Sequence, residues 1–506
     1  TGAGRVNRVH INPDFPNTIW AGTAAGGAWK STDKGATWTA KTDGIPSIGV
    51  TDIATTTSNP NLIYIATGDG YGASNIQVPI SYSVGVMSSS DGGDTWAPTG
   101  LNWKTSNARV ICRLLISPTN PELLLAATSQ GIYRTTDGGA FWTMVQSGDF
   151  KDMDFKPEDP TTIYASSGKN IYRSTNEGAS WQAMNTGIPN SIGRIALAVS
   201  LANPEMVYAL CAVSGSWGFG GFYSSSNSGT TWTLQYSGPL NIIGRDLDGM
   251  DGGQQQGWYD LCLAASTSNA QELYVGGINI WKSVNGGKSW TINTHWYGDG
   301  GKPYVHADIH DLVASEDNAS EIFAGCDGGV FRTGNKGSSW SDLSKGLNIM
   351  QFYRISAPAS DPNIVIGGSQ DNGTVRWKNG QWSLIAGGDG MKCLVDPNNP
   401  NIIYSSTPNG TFQKSTNGGN SFSVLLSSNT TFEGGAWVTP LAADPTPKPS
   451  TVLYAGYTNV WKFEPSTTKW SKSSTFTGIG TLTYITVSSD GKTIYAGNQN
   501  GMYRSK

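Results

Sequence analysis

Carboxylates, imidazoles and aromatic side chains gather at two kinds of place along this 506-residue chain. Tyr259 and Asp260, His306 and Asp308, Tyr353 and Arg354, Asp389 and Trp437 stand at or near the start of apolar runs that open a repeat. Asp69, Asp327, Gln370 and Asp371 stand in Gly-rich turns that follow a second apolar run. Cleavage of a glycosidic bond needs two carboxyl groups flanking it, one giving and one taking a proton. Asp327, Asp308, Asp371 and Asp389 are the carboxylates that could do such work. Tyr259, His306, Tyr353, Arg354, Gln370 and Trp437 are the candidate ligand-binding residues. Carboxylates bond sugar hydroxyls, and aromatic faces stack on the apolar side of a pyranose ring. The Gly-Asp-Gly and Asp-Asn-Gly steps serve equally well as plain turn formers, so both readings stand at this point.

In His306-x-Asp308-x-His310 the period of two on a strand puts three side chains on one face. Such a face could supply metal ligands. A buried polar network locking one inner strand to its neighbour is the favoured alternative, since three of the four histidines lie close together, at 295, 306 and 310, without a second cluster to complete a site. No cofactor is expected. Calcium is conceivable at Asp246, Asp248 and Asp251 in GRDLDGMDGG, although the terminal Glu of an EF-hand loop is missing.

Several chemistries are excluded. A net charge of -4 without a Lys/Arg cluster argues against nucleic acid, and no apolar stretch long enough for membrane insertion occurs. There is no G-x-S-x-G elbow and no Walker Gly-Lys-Ser/Thr step. The cysteines Cys112, Cys211, Cys262, Cys326 and Cys393 are scattered without CxxC spacing, as small buried hydrophobes would be.

The elements that must position these residues are repeats. The octet STDKGATW (31 to 38) is the first of eight copies, the others including SSDGGDTW, TTDGGAFW, STNEGASW and STNGGNSF. Each follows an apolar run, an Asn-Pro or Asp-Pro turn, a second run and a short third one. That is four strands per unit, at the roughly 38 to 58 residue spacing of propeller blades. Further units without octets occupy 352–382 and 437–470, and the chain stops after the third strand of another. The expectation is an all-β propeller filling residues 1–506, with about ten four-stranded blades in one ring and an incomplete terminal unit. Two smaller tandem propellers are the alternative.

The octets match the Asp box of the BNR-repeat propellers, and the chain resembles the sortilin-type and xyloglucanase-type members. QQGWYDL, YVHADIHDL, GCDGGVFR, GGSQDNGTVRW, GGDGMKCLVD and EGAWVTP resemble most closely the large secreted Asp-box proteins exported by the type IX system. The resemblance implies that the octet is a peripheral hairpin lock, and that any site lies on the opposite edge of each blade. It implies an extracellular or cell-surface protein whose partner is a glycan or another surface or secreted protein, with the type IX machinery as its exporter. The xyloglucanase-type pattern carries its two acids in turns like A-x-T-D-x-G-G-A-Y-R and G-D-x-G-G-F-R. The first is met by AGTAAGGAWK, with Ala24 where the aspartate would stand, and the second by AGCDGGVFR, with Asp327. Half a dyad favours a ligand-binding propeller, with a glycoside hydrolase as the alternative.

Overall fold

The structure, a computed structural model, describes residues 2–47, 49–56, 59–70, 81–250, 255–358, 360–446 and 451–505. These fold into ten four-stranded antiparallel sheets and one three-stranded sheet, each a meander in chain order. In the first, Val6–Ile11, Ile19–Thr23, Ala28–Ser31 and Thr39–Ala40 run from the innermost strand outward. The second strand of a unit is the most buried. Ile19–Thr23, Ile63–Thr67 and Leu124–Thr128 have every position buried. Both faces of such a strand meet a neighbouring sheet, so its sequence is continuously apolar or small instead of alternating. Gly22 shows why small residues matter there, since a Cβ at that position would come within 3.0 Å of the Val50 carbonyl oxygen.

The octet forms a cage of hydrogen bonds at the turn between third and fourth strands. Asp33 accepts from the Thr37 N–H at 2.8 Å and the Thr37 hydroxyl at 2.7 Å, while the Ser31 hydroxyl accepts from the Gly35 N–H at 2.8 Å. Thr37 and Ser31 hold the Asp33 carboxyl down to about 2. The closing Trp of several copies reaches the preceding unit. Trp96 donates to the Lys41 carbonyl at 2.7 Å, and Trp232 to that of Met184 at 2.8 Å.

The packing corrects the expectation of a single ring of about ten blades. The chain divides into two compact units, one built from the residues up to Ile349 and the other from Met350–Lys506. In the first unit three aspartates on inner strands each accept a backbone N–H from the next sheet. Asp52 takes that of Leu114 at 2.7 Å, Asp152 that of Leu197 at 2.8 Å, and Asp311 that of Val9 at 2.8 Å. The third staple joins the seventh sheet to the first by the same bond that joins the second to the third. Arg8 continues the join, donating to Asp311 at 2.6 Å and to Asp52 at 3.0 Å. Phe323 and Val330 of the seventh sheet share an apolar cluster with Val6, Val9 and Ile19 of the first. Seven sheets therefore succeed one another and the seventh meets the first.

The second unit holds four sheets, with inner strands Phe352–Ser356, Leu394–Val395, Leu441–Ala443 and Tyr484–Val487. Separate apolar clusters fill the spaces between its consecutive sheets. The five cysteines are buried and unpaired. Among the described residues, no helix is long and apolar enough to cross a membrane.

Candidate functional site

Strand order places the candidates on one edge of their sheets. A four-stranded meander brings the entrance of its first strand and the turn between its second and third strands to the same edge, and sends the octet to the other. Tyr259 and Asp260 precede Cys262–Ala265, Asp308 precedes Ile309–Ala314, and Asp69 and Asp327 follow Ile63–Thr67 and Ile322–Cys326.

In the seven-sheet unit these residues form a closed polar network. Asp327, 1 % exposed, accepts from the Tyr259 hydroxyl at 2.6 Å on one carboxylate oxygen and from His310 Nε2 at 2.7 Å on the other. Arg5 donates to the Tyr259 hydroxyl at 2.9 Å and pairs with Asp69. The His310 ring meets the Tyr259 ring edge-on, 4.7 Å between centroids. Burial, reinforced by the charge of Arg5, pushes His310 well below its ordinary value, so the imidazole is neutral. Gln256 donates to Asp260 at 3.1 Å and to Asp308 at 2.7 Å. Burial drives the fully enclosed Asp260 carboxyl well above the carboxylate range.

This geometry bears on two of the expectations. Asp327 accepts a hydrogen bond on each carboxylate oxygen and is almost fully enclosed. The His306, Asp308 and His310 side chains do not share one strand face as metal ligands would. The strand begins only at Ile309, and Asp308 has a left-handed φ of 63°, which breaks the period of two. His310 turns to Asp327, Asp308 accepts from Gln256, and His306 Nδ1 lies 3.4 Å from the Ala307 carbonyl oxygen.

The calcium candidates lie elsewhere on this unit. Asp246 and Asp248 line a cavity of about 610 Å³ with Arg245, His295, Trp296 and Asp299, while Asp251 falls outside the described residues. Arg245 Nε sits 3.0 Å from Asp246, a cation already in place beside one of the proposed ligands. Asn279 builds the cavity, donating to the carbonyls of Gly244 and Arg245 at 3.1 and 2.8 Å and accepting the Trp296 N–H at 3.0 Å.

The four-sheet unit holds the other candidates in a different state. Gln370 and Asp371 follow Ile364–Ser369, and Asp389 precedes Leu394–Val395. The Asp371 N–H donates to Asp389 at 2.9 Å. Burial, then the charge of Asp371, pushes Asp389 up to about 7. Both are only partly buried. Gln370 N–H donates to the Gln351 carbonyl at 3.0 Å, and two residues on, the Tyr353 hydroxyl accepts from Trp437 Nε1 at 3.3 Å. Arg354 is exposed and donates to the Tyr353 carbonyl at 2.6 Å. Asp371, Asp389, Gln370, Tyr353 and Trp437 therefore belong to one edge of this unit.

Sequence reading missed the charged residues along the inner strands of the seven-sheet unit. Arg8, Arg113, Asp152, Asp154 and Arg194 line a cavity of about 310 Å³ among those strands. The signal was present, because each interrupts an apolar run, as in VICRLLI and KDMDFK.

Fold and site together define the class as a β-propeller assembled from four-stranded sheets with carboxylates on one edge. No protein-family profile matches the chain. A xyloglucanase from a Paenibacillus species is 27 % identical over 157 residues, 29 % of this chain and 15 % of that protein. The xyloglucanase Xgh74A of Acetivibrio thermocellus is 29 % identical over 157 residues, 29 % of this chain and 18 % of that protein. The chain thus matches less than a fifth of the length of these curated relatives. Among solved structures, an ancestral GH74 enzyme superposes with a TM-score of 0.67 at 15 % identity, covering 99 % of this chain and 75 % of its own. The GH74 xyloglucanase of Xanthomonas campestris gives 0.54 at 14 %, covering 99 % and 98 %. PorZ, a surface component of the type IX secretion system of Porphyromonas gingivalis, gives 0.52 at 12 %, covering 97 % and 62 %. These structural likenesses are likenesses of fold.

Proposed function

We propose that this protein acts on a neutral polysaccharide as a glycoside hydrolase of the xyloglucanase type, with Asp389, beside Asp371, as its proton donor. The observation that carries the reading is the state of that pair. Asp389, held near 7 by burial and by Asp371, keeps a proton available at neutral pH, which is what a general acid requires. The partial identity to two xyloglucanases supports the substrate class. Tyr353 and Trp437 on the same edge supply aromatic faces for sugar rings. A polymeric substrate implies an extracellular or cell-surface setting, and export by the type IX machinery belongs to the same reading.

The test is incubation of the purified chain with xyloglucan and other neutral β-glucans, read as new reducing ends. Release by the wild type that disappears in Asp371→Asn supports hydrolysis. The absence of release from every polymer overturns it. A second reading, binding without cleavage to a glycan or a surface protein, is favoured by Ala24. That residue is 2 % exposed and carries a methyl group where the resembled enzymes carry an aspartate. Retention on a polymer without release of reducing ends would establish it.

A further inference from the structure

Phe432 lies in the connection between the second and third sheets of the four-sheet unit and is 92 % exposed. Single exposed apolar residues are ordinary on protein surfaces. What sets this one apart is its backbone and its flanks. Its φ is 55°, in the left-handed region that a bulky aromatic residue rarely adopts. On one side, the Thr431 N–H is tied to the Ser427 carbonyl at 3.1 Å, and the Thr431 hydroxyl accepts the Glu433 N–H at 3.3 Å. On the other side, Glu433 is rooted in the neighbouring sheet. It accepts from the Asn459 N–H at 2.8 Å, the Asn459 amide at 3.0 Å and Trp461 Nε1 at 3.2 Å, and it pairs with Lys472 at 2.7 Å. The ring is thus presented to solvent by a backbone fixed on both sides of it.

The position of this ring relative to Asp371 and Asp389 follows from contacts already given. Asn459 occupies the turn between Leu453–Gly456 and Val460–Glu464, the second and third strands of its sheet. That turn belongs to the same edge as the Gln370–Asp371 turn. Five residues beyond Phe432, Trp437 reaches Tyr353, whose strand enters beside Gln370.

We propose that Phe432 is a binding platform for a pyranose ring of the polymer, on the edge that carries Asp371 and Asp389. The inference rests on the glycan reading above and adds a binding residue to it. An exposed, preorganised aromatic face costs little conformational entropy to use and gains stacking contact on the apolar side of a sugar. Because Phe432 is 92 % exposed, its removal is expected to leave the fold intact, which a thermal melt of each variant checks.

The experiment is affinity electrophoresis of the full chain in gels containing xyloglucan, with Phe432→Ala and Phe432→Trp beside the wild type. Phe432→Ala is expected to weaken retention by about three- to tenfold, and Phe432→Trp to restore it. Equal retention of wild type and Phe432→Ala, or failure of Phe432→Trp to restore it, overturns the proposal. So does a wild type that no neutral polysaccharide retards. Retention is read on intact polymer and hydrolysis on reducing ends, so a failure of this inference is separable from a failure of the hydrolase reading.

Discussion

The two units use the same residue type for opposite purposes. In the seven-sheet unit Asp52, Asp311 and Asp327 are enclosed and engaged. Asp327 is held by Tyr259 and His310, Asp311 by Arg8 and Val9, and Asp52 by Arg8 and Leu114. In the four-sheet unit Asp371 and Asp389 are partly exposed and lie against each other, and where an aspartate staples inner strands elsewhere, the Ser356 hydroxyl accepts the Val395 N–H at 3.0 Å. Its first sheet also leaves Ile355 65 % and Trp382 49 % exposed, whereas Val6 and Val9 of the first sheet of the other unit are buried. A carboxylate that holds sheets together is saturated with donors, and a half-exposed one keeps room for a ligand.

The comparison can be broken most directly at Asp327. Asp327→Ala leaves the Tyr259 hydroxyl and His310 without their buried acceptor, and the loss should be about 1 to 3 kcal/mol for each orphaned group in a denaturant melt. A variant that melts like the wild type but loses polysaccharide release would make Asp327 a working residue. Asp371→Asn should act the other way round. Release should fall by about a hundredfold or more, with the melt shifted by no more than about 0.5 kcal/mol.

The pH profile sharpens the contrast further. The Asp389 carboxyl is raised in the fold to about 7, above its ordinary value near 4. It binds its proton more tightly folded than unfolded, so its contribution to stability is fully present below about pH 4 and is lost as pH rises through about 7. Release should fall over the same upper limb. In Asp389→Asn the share of the stability loss that Asp389 contributes across this window should vanish, and a melt series from pH 4 to 8 compared with the wild type reads it. The smallest effect belongs to the octet. Ser31→Ala removes a buried hydroxyl that accepts the Gly35 N–H, a loss of about 1 kcal/mol in the same melt without any change in release.

Much of this architecture was legible in the sequence because turn chemistry is local. The octets specify their own hydrogen-bond cage, and Asn-Pro steps with all-apolar second strands mark the repeats, so strand order followed directly. Where the ring turns back on itself was not legible. That depends on Val9 meeting Asp311 and on Phe323 packing with Val6, contacts that no local pattern announces. The candidate edge was readable from strand order alone, but the roles within it were not. Asp327 and Asp371 sit in similar Gly-rich turns, and only the burial and the donors around each carboxylate tell the two apart. His306-x-Asp308-x-His310 misled because a single left-handed residue, Asp308, displaces the alternation on which the reading depended.

The staple between Val9 and Asp311 also bears on how the chain folds. Its partners are 302 residues apart, against 62 for Asp52 and Leu114. By loop-closure entropy alone the longer join costs about 1.4 kcal/mol more to make. During synthesis Asp311 arrives long after the first sheets have emerged, so Val6–Ile11 must wait, with one face of its apolar core uncovered, until the seventh sheet is complete. That seam is the last to close, and it is where the seven-sheet unit is most exposed to mispairing with another chain.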